Sequence, residues 1–211
     1  MMRAQSPEWT ALESELTAAG VRGAHELGRF VDNVEFFGAS TFDEKAAMPV
    51  LLAALPALTD QRLIRSVAGH LRRPWARPTA YRALYDAFQR WATIENGPGW
   101  SLGDALATAA TADNVDELLA LCQDTAYGRS RQMLVYSLWR SKKASPDVEI
   151  VTRRLLLDPE VGLHAMASLR RLVGATGALS AIVQVEQATP DGTLKQQAAR
   201  EIKKLRKAIG P

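Results

Sequence analysis

The chain has 211 residues, 47% hydrophobic and 23% charged, a balance that can fill a sizeable core and leaves no room for long disordered tracts. No apolar run approaches the ~20 residues needed to span a bilayer, and the start, with Glu8, Glu13 and Glu15 and no apolar centre, is expected to be neither a signal nor a transit peptide. The net charge of +3 is too even for a uniformly basic nucleic-acid binder, but it is patchy: residues 129–143 hold five bases and no acid, and 195–211 hold six bases against Glu201 alone.

The first helical pair is expected from about Glu8 to Ala19 and from Arg22 to Phe37. Ser6-Pro7 starts it, Gly20 and Gly23 punctuate it, and Gly38-Ala39-Ser40 closes it. A second pair follows, from about Asp43 to Leu58 and from Asp60 to Arg73, with Pro49 and Pro56 predicting a kink or an early stop. Thr59 or Asp60 can cap its second helix. The third pair is the least regular: Pro78 to Ile94 aligns Tyr81, Leu84, Tyr85, Phe88 and Trp91 on one face. After the turn Asn96-Gly97-Pro98-Gly99, expected to be exposed, only a short partner from Ser101 to about Ala110 is expected. The fourth pair spans Asn114–Gln123 and Ser130–Lys142. The fifth spans Pro146–Leu157 and Pro159–Val173, and the last Ala178–Ala188 and Thr193–Ile209. No strand pattern, low-complexity segment or linker interrupts them, so the chain reads as one all-α domain, residues 1–211.

These pairs repeat. A shift of 31 places Ser130, Ser137, Leu138 and Arg140 on Val161, Ser168, Leu169 and Arg171. A further 33 places Asp158, Val161, Ala165, Leu169 and Arg171 on Asp191, Leu194, Ala198, Ile202 and Lys204. Two periods earlier, Asp60, Leu63, Val67 and Leu71 match Tyr127, Ser130, Leu134 and Leu138. A period in the low thirties built of paired helices predicts an α-α superhelix of about six antiparallel hairpins. Within each second helix the apolar positions 0, +4, +8 and +11 form one stripe, a small residue near +7 permits close approach, and an Asp at −3 (Asp60, Asp158, Asp191) is placed to cap the first turn.

Asp158-Pro159-Glu160-Val161 followed by Ala165, Ser168 and Leu169 resembles the second helix of a HEAT repeat. Asp191-Gly192-Thr193-Leu194-Lys195 with Ala198 and Ile202 is similar, with Lys195 in place of the usual arginine. Tyr127 replaces the usual aspartate, while Arg131 keeps the arginine. The likeness is good over 114–207, moderate over 43–73 and poor over 78–110. The resemblance implies a right-handed superhelix whose concave wall is lined by the second helices, and hence a binding scaffold. The fold is shared by adaptors, immunity proteins, lyases and DNA glycosylases, so it selects no ligand.

Catalytic and metal motifs are sparse. His25, His70 and His164 are isolated, with no second ligand at i+3 or i+4. Asp158 and Glu160 stand at a helix start, where capping explains them better than acid–base work. Cys122, alone in the chain and set among Leu118, Leu119 and Leu121, excludes an intrachain disulfide and reads as an inert thiol in a reducing cytoplasm. No cofactor or metal is expected.

The informative face lies opposite the apolar stripe. Position +9 holds Arg72, Trp139, Arg170 and Lys203, and +10 holds Arg73, Arg140, Arg171 and Lys204; Arg65, Gln132, Tyr136 and Arg200 flank them. Helix-end arginines also complement the macrodipole, yet an exposed Trp–Tyr pair among arginines has the composition of a binding hot spot. The function expected is a non-enzymatic scaffold binding an acidic protein or peptide through Arg65, Arg72, Gln132, Tyr136, Trp139, Arg170, Arg200 and Lys203, with no membrane partner. The alternative is a HEAT-like DNA glycosylase or DNA-binding repeat protein. It would need a carboxylate beside Tyr136 and Trp139, and the sequence offers none on that face of the neighbouring second helices.

Overall fold

The computed structural model describes residues 6–33, 40–143, 145–190 and 192–210, and among them every regular element is helical. The backbone packs into two compact units, Met1–Ala109 and Ala110–Pro211.

In the first unit, α1 (Pro7–Ala18) starts at the extended Ser6 with Pro7 in its first turn and buries Trp9, Leu12 and Leu16. It closes in a Schellman arrangement: the Gly20 N–H donates to the Thr17 carbonyl and the Val21 N–H to that of Leu16, each at 3.0 Å. Residues Ala24–Asn33 then form a 3-10 helix, where an α-helix to Phe37 was expected; Phe37, like the cap Asp191, lies outside the described residues. Close packing accounts for the tighter winding, since Gly23 lies against the Thr41–Phe42 backbone and Gly28 against the Trp9 ring.

Helix α2 (Glu44–Ala54) is capped by Asp43, which accepts from the Ala46 N–H at 3.1 Å; it continues through Pro49 and ends as the 3-10 turn Leu55–Ala57 at Pro56. Helix α3 (Gln61–Leu71) carries the expected cap, Asp60 accepting from the Arg62 and Leu63 amides at 2.9 and 3.2 Å, and buries the stripe Leu63, Val67 and Leu71. Helix α4 (Tyr81–Trp91) buries Tyr81, Leu84 and Phe88 and leaves Tyr85 and Trp91 half-buried. The next helix lies within two residues of the expected Ser101–Ala110, and its burial is what was not expected. Helix α5 (Gly99–Ala109) runs for 11 residues and buries all but Trp100 and Ser101, packing against both α3 and α4. In the turn before it Asn96 is exposed, whereas Pro98 is buried. Its sequence, GWSLGDALATA, shows little amphipathic pattern because every face is covered.

The second unit follows the expected hairpins closely. Helix α6 (Val115–Gln123) leads into α7 (Gln132–Ser137), which is α-helical for only 6 residues and is flanked by the 3-10 segments Thr125–Arg131 and Leu138–Ser141. Helix α8 (Asp147–Arg154) ends in the 3-10 turn Leu155–Leu157. Helix α9 (Gly162–Ala188) is broken at Gly174, whose φ of 75° and ψ of 177° separate 162–173 from 175–188, the second helix of the fifth hairpin from the first of the sixth. Helix α10 (Thr193–Ile209) completes the unit. The apolar stripe is buried as expected at Leu134 and Leu138, at Val161, Ala165, Leu169 and Leu172, and at Ala198, Ile202 and Leu205; the small Ser137 and Ser168 are buried with it.

Polar contacts between successive hairpins keep the repeat spacing within each unit. Arg72 reaches Asp104 across 32 residues, Arg77 the Thr108 carbonyl across 31, Arg131 Asp158 across 27, Arg154 Gln123 across 31 and Trp139 Ser168 across 29. Such separations are compatible with a helical repeat protein.

Candidate functional site

In the first unit the two expected binding residues are engaged by their neighbours. Arg65 donates to the carbonyls of Asn96 and Gly97, pinning the turn before α5. Arg72 pairs with Asp104 of α5 at 2.8 Å. Arg73, at +10, grips Glu44 with two nitrogens, and buried His70 stands 3.8 Å from the same carboxylate. Burial works against the Glu44 charge, but the His70 contact and the Arg73 guanidinium outweigh it and hold its pKa down to about 2. These groups bind the first unit together.

The second unit gathers an aromatic and cationic cluster on α7, the 3-10 turn after it and the first half of α9. At the start of α7 lies Arg131, whose side chain is only 2% exposed and donates to the Gly128 carbonyl at 3.1 Å, the Cys122 carbonyl at 3.0 Å and Asp158 Oδ2 at 2.9 Å. The other oxygen of Asp158 accepts from the Glu160 and Val161 amides at 2.8 and 3.3 Å, the capping role expected of it. Gln132 is spent on the Glu160 carbonyl, to which its amide donates at 3.0 Å.

Further along the chain stand Tyr136 and Trp139, both half-buried. The Trp139 N–H of the backbone donates to Ser168 Oγ at 3.1 Å, locking the turn onto α9. Arg171 lies over both rings, its guanidinium carbon 4.5 Å from the Tyr136 centroid and 5.2 Å from that of Trp139; Arg140 sits 5.7 Å from the Trp139 ring on the same turn. His164 meets Tyr136 edge-on at 6.4 Å, and burial lowers its pKa, leaving it neutral at pH 7. Two ring nitrogens of the cluster, Trp139 Nε1 and His164 Nδ1, are buried without a hydrogen-bond partner. Such an atom also occurs outside the cluster, at Thr189.

Arg170 is not free: it pairs with Glu201 of α10 at 2.8 Å, and Lys204 approaches the same carboxylate at 3.4 Å. The neighbouring second helix thus does carry a carboxylate, and it is neutralised by two cations. Arg200 and Lys203 are exposed on α10 with no hydrogen bond or ion pair among the described residues. The structure therefore brings Tyr136 and Trp139 together, ties Gln132 and Arg170 into the scaffold, and places Arg140 and Arg171 where +9 alone was expected to matter. The 3-10 winding of Leu138–Ser141 turns successive residues by ~120° rather than 100°, which rotates Trp139 and Arg140 away from their α-helical positions. The matching arginines at +10 in consecutive repeats were the visible signal.

Cys122 is fully buried and its thiol pKa is pushed far up by that burial, so it is no nucleophile. Among the described residues no group of His, Cys, Asp and Glu is arranged to hold a metal ion, and no helix is long and apolar enough to cross a membrane.

Fold and site together define an all-helical protein of packed hairpins, compatible with a helical repeat protein, that presents arginines stacked on aromatic rings. Comparison with protein families, curated proteins and solved structures finds no match to this chain.

Proposed function

We propose that the chain is a non-enzymatic, cytoplasmic interaction scaffold of HEAT-like repeats that binds an acidic protein segment on the second-helix face of residues 110–211. One observation carries this reading. In this unit Arg129, Arg131, Arg153 and Arg170 each pair with a carboxylate, whereas Arg140 and Arg171 have none among the described residues and rest instead on Trp139 and Tyr136. Exposed, uncompensated guanidiniums on an aromatic platform suit an acidic partner, with the ring as anchor and outlying charges such as Arg200 and Lys203 steering approach. The contact spacing of 27 to 32 residues between hairpins supports the repeat assignment.

The test is fluorescence anisotropy with a labelled, end-capped hexaglutamate peptide and, separately, a short DNA duplex. Saturable peptide binding that weakens by about 2 kcal/mol in Trp139→Ala is expected, with Lys203→Glu mainly slowing association. Tighter duplex binding that collapses between low and moderate salt would instead favour nucleic acid.

A further inference from the structure

The scaffold reading leaves open what the partner presents to the cluster, and the pairing of arginines in residues 110–211 narrows the choice. Arg140 and Arg171 are both exposed. Neither has a carboxylate within pairing distance among the described residues, whereas Arg170, the residue before Arg171, is paired with Glu201 at 2.8 Å. Stacking also fixes how the guanidiniums are held. Arg171 keeps its guanidinium carbon 4.5 Å from the Tyr136 centroid and 5.2 Å from that of Trp139, and it makes no hydrogen bond or ion pair among the described residues, so its N–H groups remain available. A guanidinium immobilised in this way has already lost much of its rotamer freedom, so it binds a planar, two-oxygen acceptor at a reduced entropic cost. The platform is itself fixed, by the Trp139 amide on Ser168 Oγ and by Arg170, the residue beside Arg171, on Glu201.

Resting on the scaffold reading, we propose that Arg171 and Arg140 form a carboxylate-receiving subsite on the Tyr136–Trp139 platform, into which a protein partner inserts an aspartate or glutamate side chain. Two guanidiniums about one indole match one or two carboxylates. They do not match the row of phosphates that nucleic-acid affinity depends on. Residues 110–211 carry 15 Lys and Arg against 11 Asp and Glu, a modest excess for a phosphate-binding surface. The geometry demands arginine rather than positive charge alone, because lysine offers neither the planar fork nor the stacking face.

That demand supplies the experiment. Labelled, end-capped hexaglutamate is titrated into the full chain and into Arg171→Lys, Arg140→Lys and Lys203→Gln, with thermal melts as a check on folding. Arg171→Lys, which keeps the charge, should weaken binding at least about tenfold, and Lys203→Gln, which loses one, less than about threefold. Should Arg171→Lys disturb the melt, Arg140→Lys decides, since Arg140 is exposed and its contact is with the Trp139 ring. Wild-type affinity in both arginine-to-lysine variants, or an equal loss in Lys203→Gln, would overturn the subsite while leaving the scaffold reading intact. Absence of saturable binding to the unaltered chain would overturn both. A short DNA duplex that outcompetes the peptide would overturn the carboxylate assignment in favour of phosphate.

Discussion

Replacing Asp158 should be among the most damaging single changes to the second unit, and two substitutions separate its two roles. Asp158 caps the turn before α9 with one oxygen and holds Arg131 with the other, at 2.9 Å. Arg131 is 2% exposed and joins the Cys122 carbonyl at the end of α6 to the next hairpin, so removing its carboxylate leaves a cation with no water to turn to. Breaking a buried pair from one side costs about 3–5 kcal/mol, of which a lost cap accounts for about 1. Asp158→Ala should therefore cost the full amount and lower the melting temperature by roughly 6–20 °C, at about 2–4 °C per kcal/mol for a chain of this size. Asp158→Asn keeps a capping oxygen and should recover about 1 kcal/mol. Equilibrium urea unfolding of the two variants, with Arg131→Met and the double variant, gives the coupling energy, which should exceed about 1 kcal/mol. A coupling near zero, or a cost below about 1 kcal/mol for Asp158→Ala, would mean that the two backbone carbonyls suffice for Arg131 and would refute the reasoning.

Acid should weaken the first unit through Glu44. Its pKa falls from 4.5 to about 2 on folding, so its stabilisation is complete above about pH 4.5 and is lost as pH falls toward 2. Allowing for solvent screening, Glu44→Gln should remove about 1–2 kcal/mol at neutral pH and flatten the stability profile in that window. Gly23→Ala is expected to cost more than about 2 kcal/mol, because φ is +69° and the new methyl would stand 2.5 Å from the Phe42 amide; an unchanged urea midpoint would contradict this. Cys122 should resist iodoacetamide in the folded chain and react only as α6 opens, so a labelling rate equal to that of a free thiol would show that the helix is not closed.

The hairpins of residues 110–211 were legible because burial is one-sided there: Val161, Ala165, Leu169 and Leu172 repeat at helical spacing, and glycine or proline marks each joint. Helix α5 was placed within two residues, but its burial was hard to read for the opposite reason, since a helix covered all round leaves no polar face to set its period. The 3-10 segments were equally hidden. The choice between i+3 and i+4 hydrogen bonds at Ala24–Asn33 and Leu138–Ser141 is made by what packs against them. The site was half visible. Arginines at +9 and +10 could be counted in the sequence, but only the fold reveals that Arg72 has Asp104 and Arg170 has Glu201, each about one repeat away, while Arg140 and Arg171 have rings.

Helix α5 is also the last element of the first unit, and this sets an order of events during synthesis. The faces of α3 and α4 that it covers have no partner until residues 99–109 have left the ribosome. A nascent chain ending before Gly99 carries α1 to α4 yet leaves uncovered the parts of α3 and α4 that pack against α5, surfaces that invite chaperones or self-association. Closure of the first unit thus waits for its most hydrophobic helix, and the hairpins that carry the aromatic cluster emerge only afterwards.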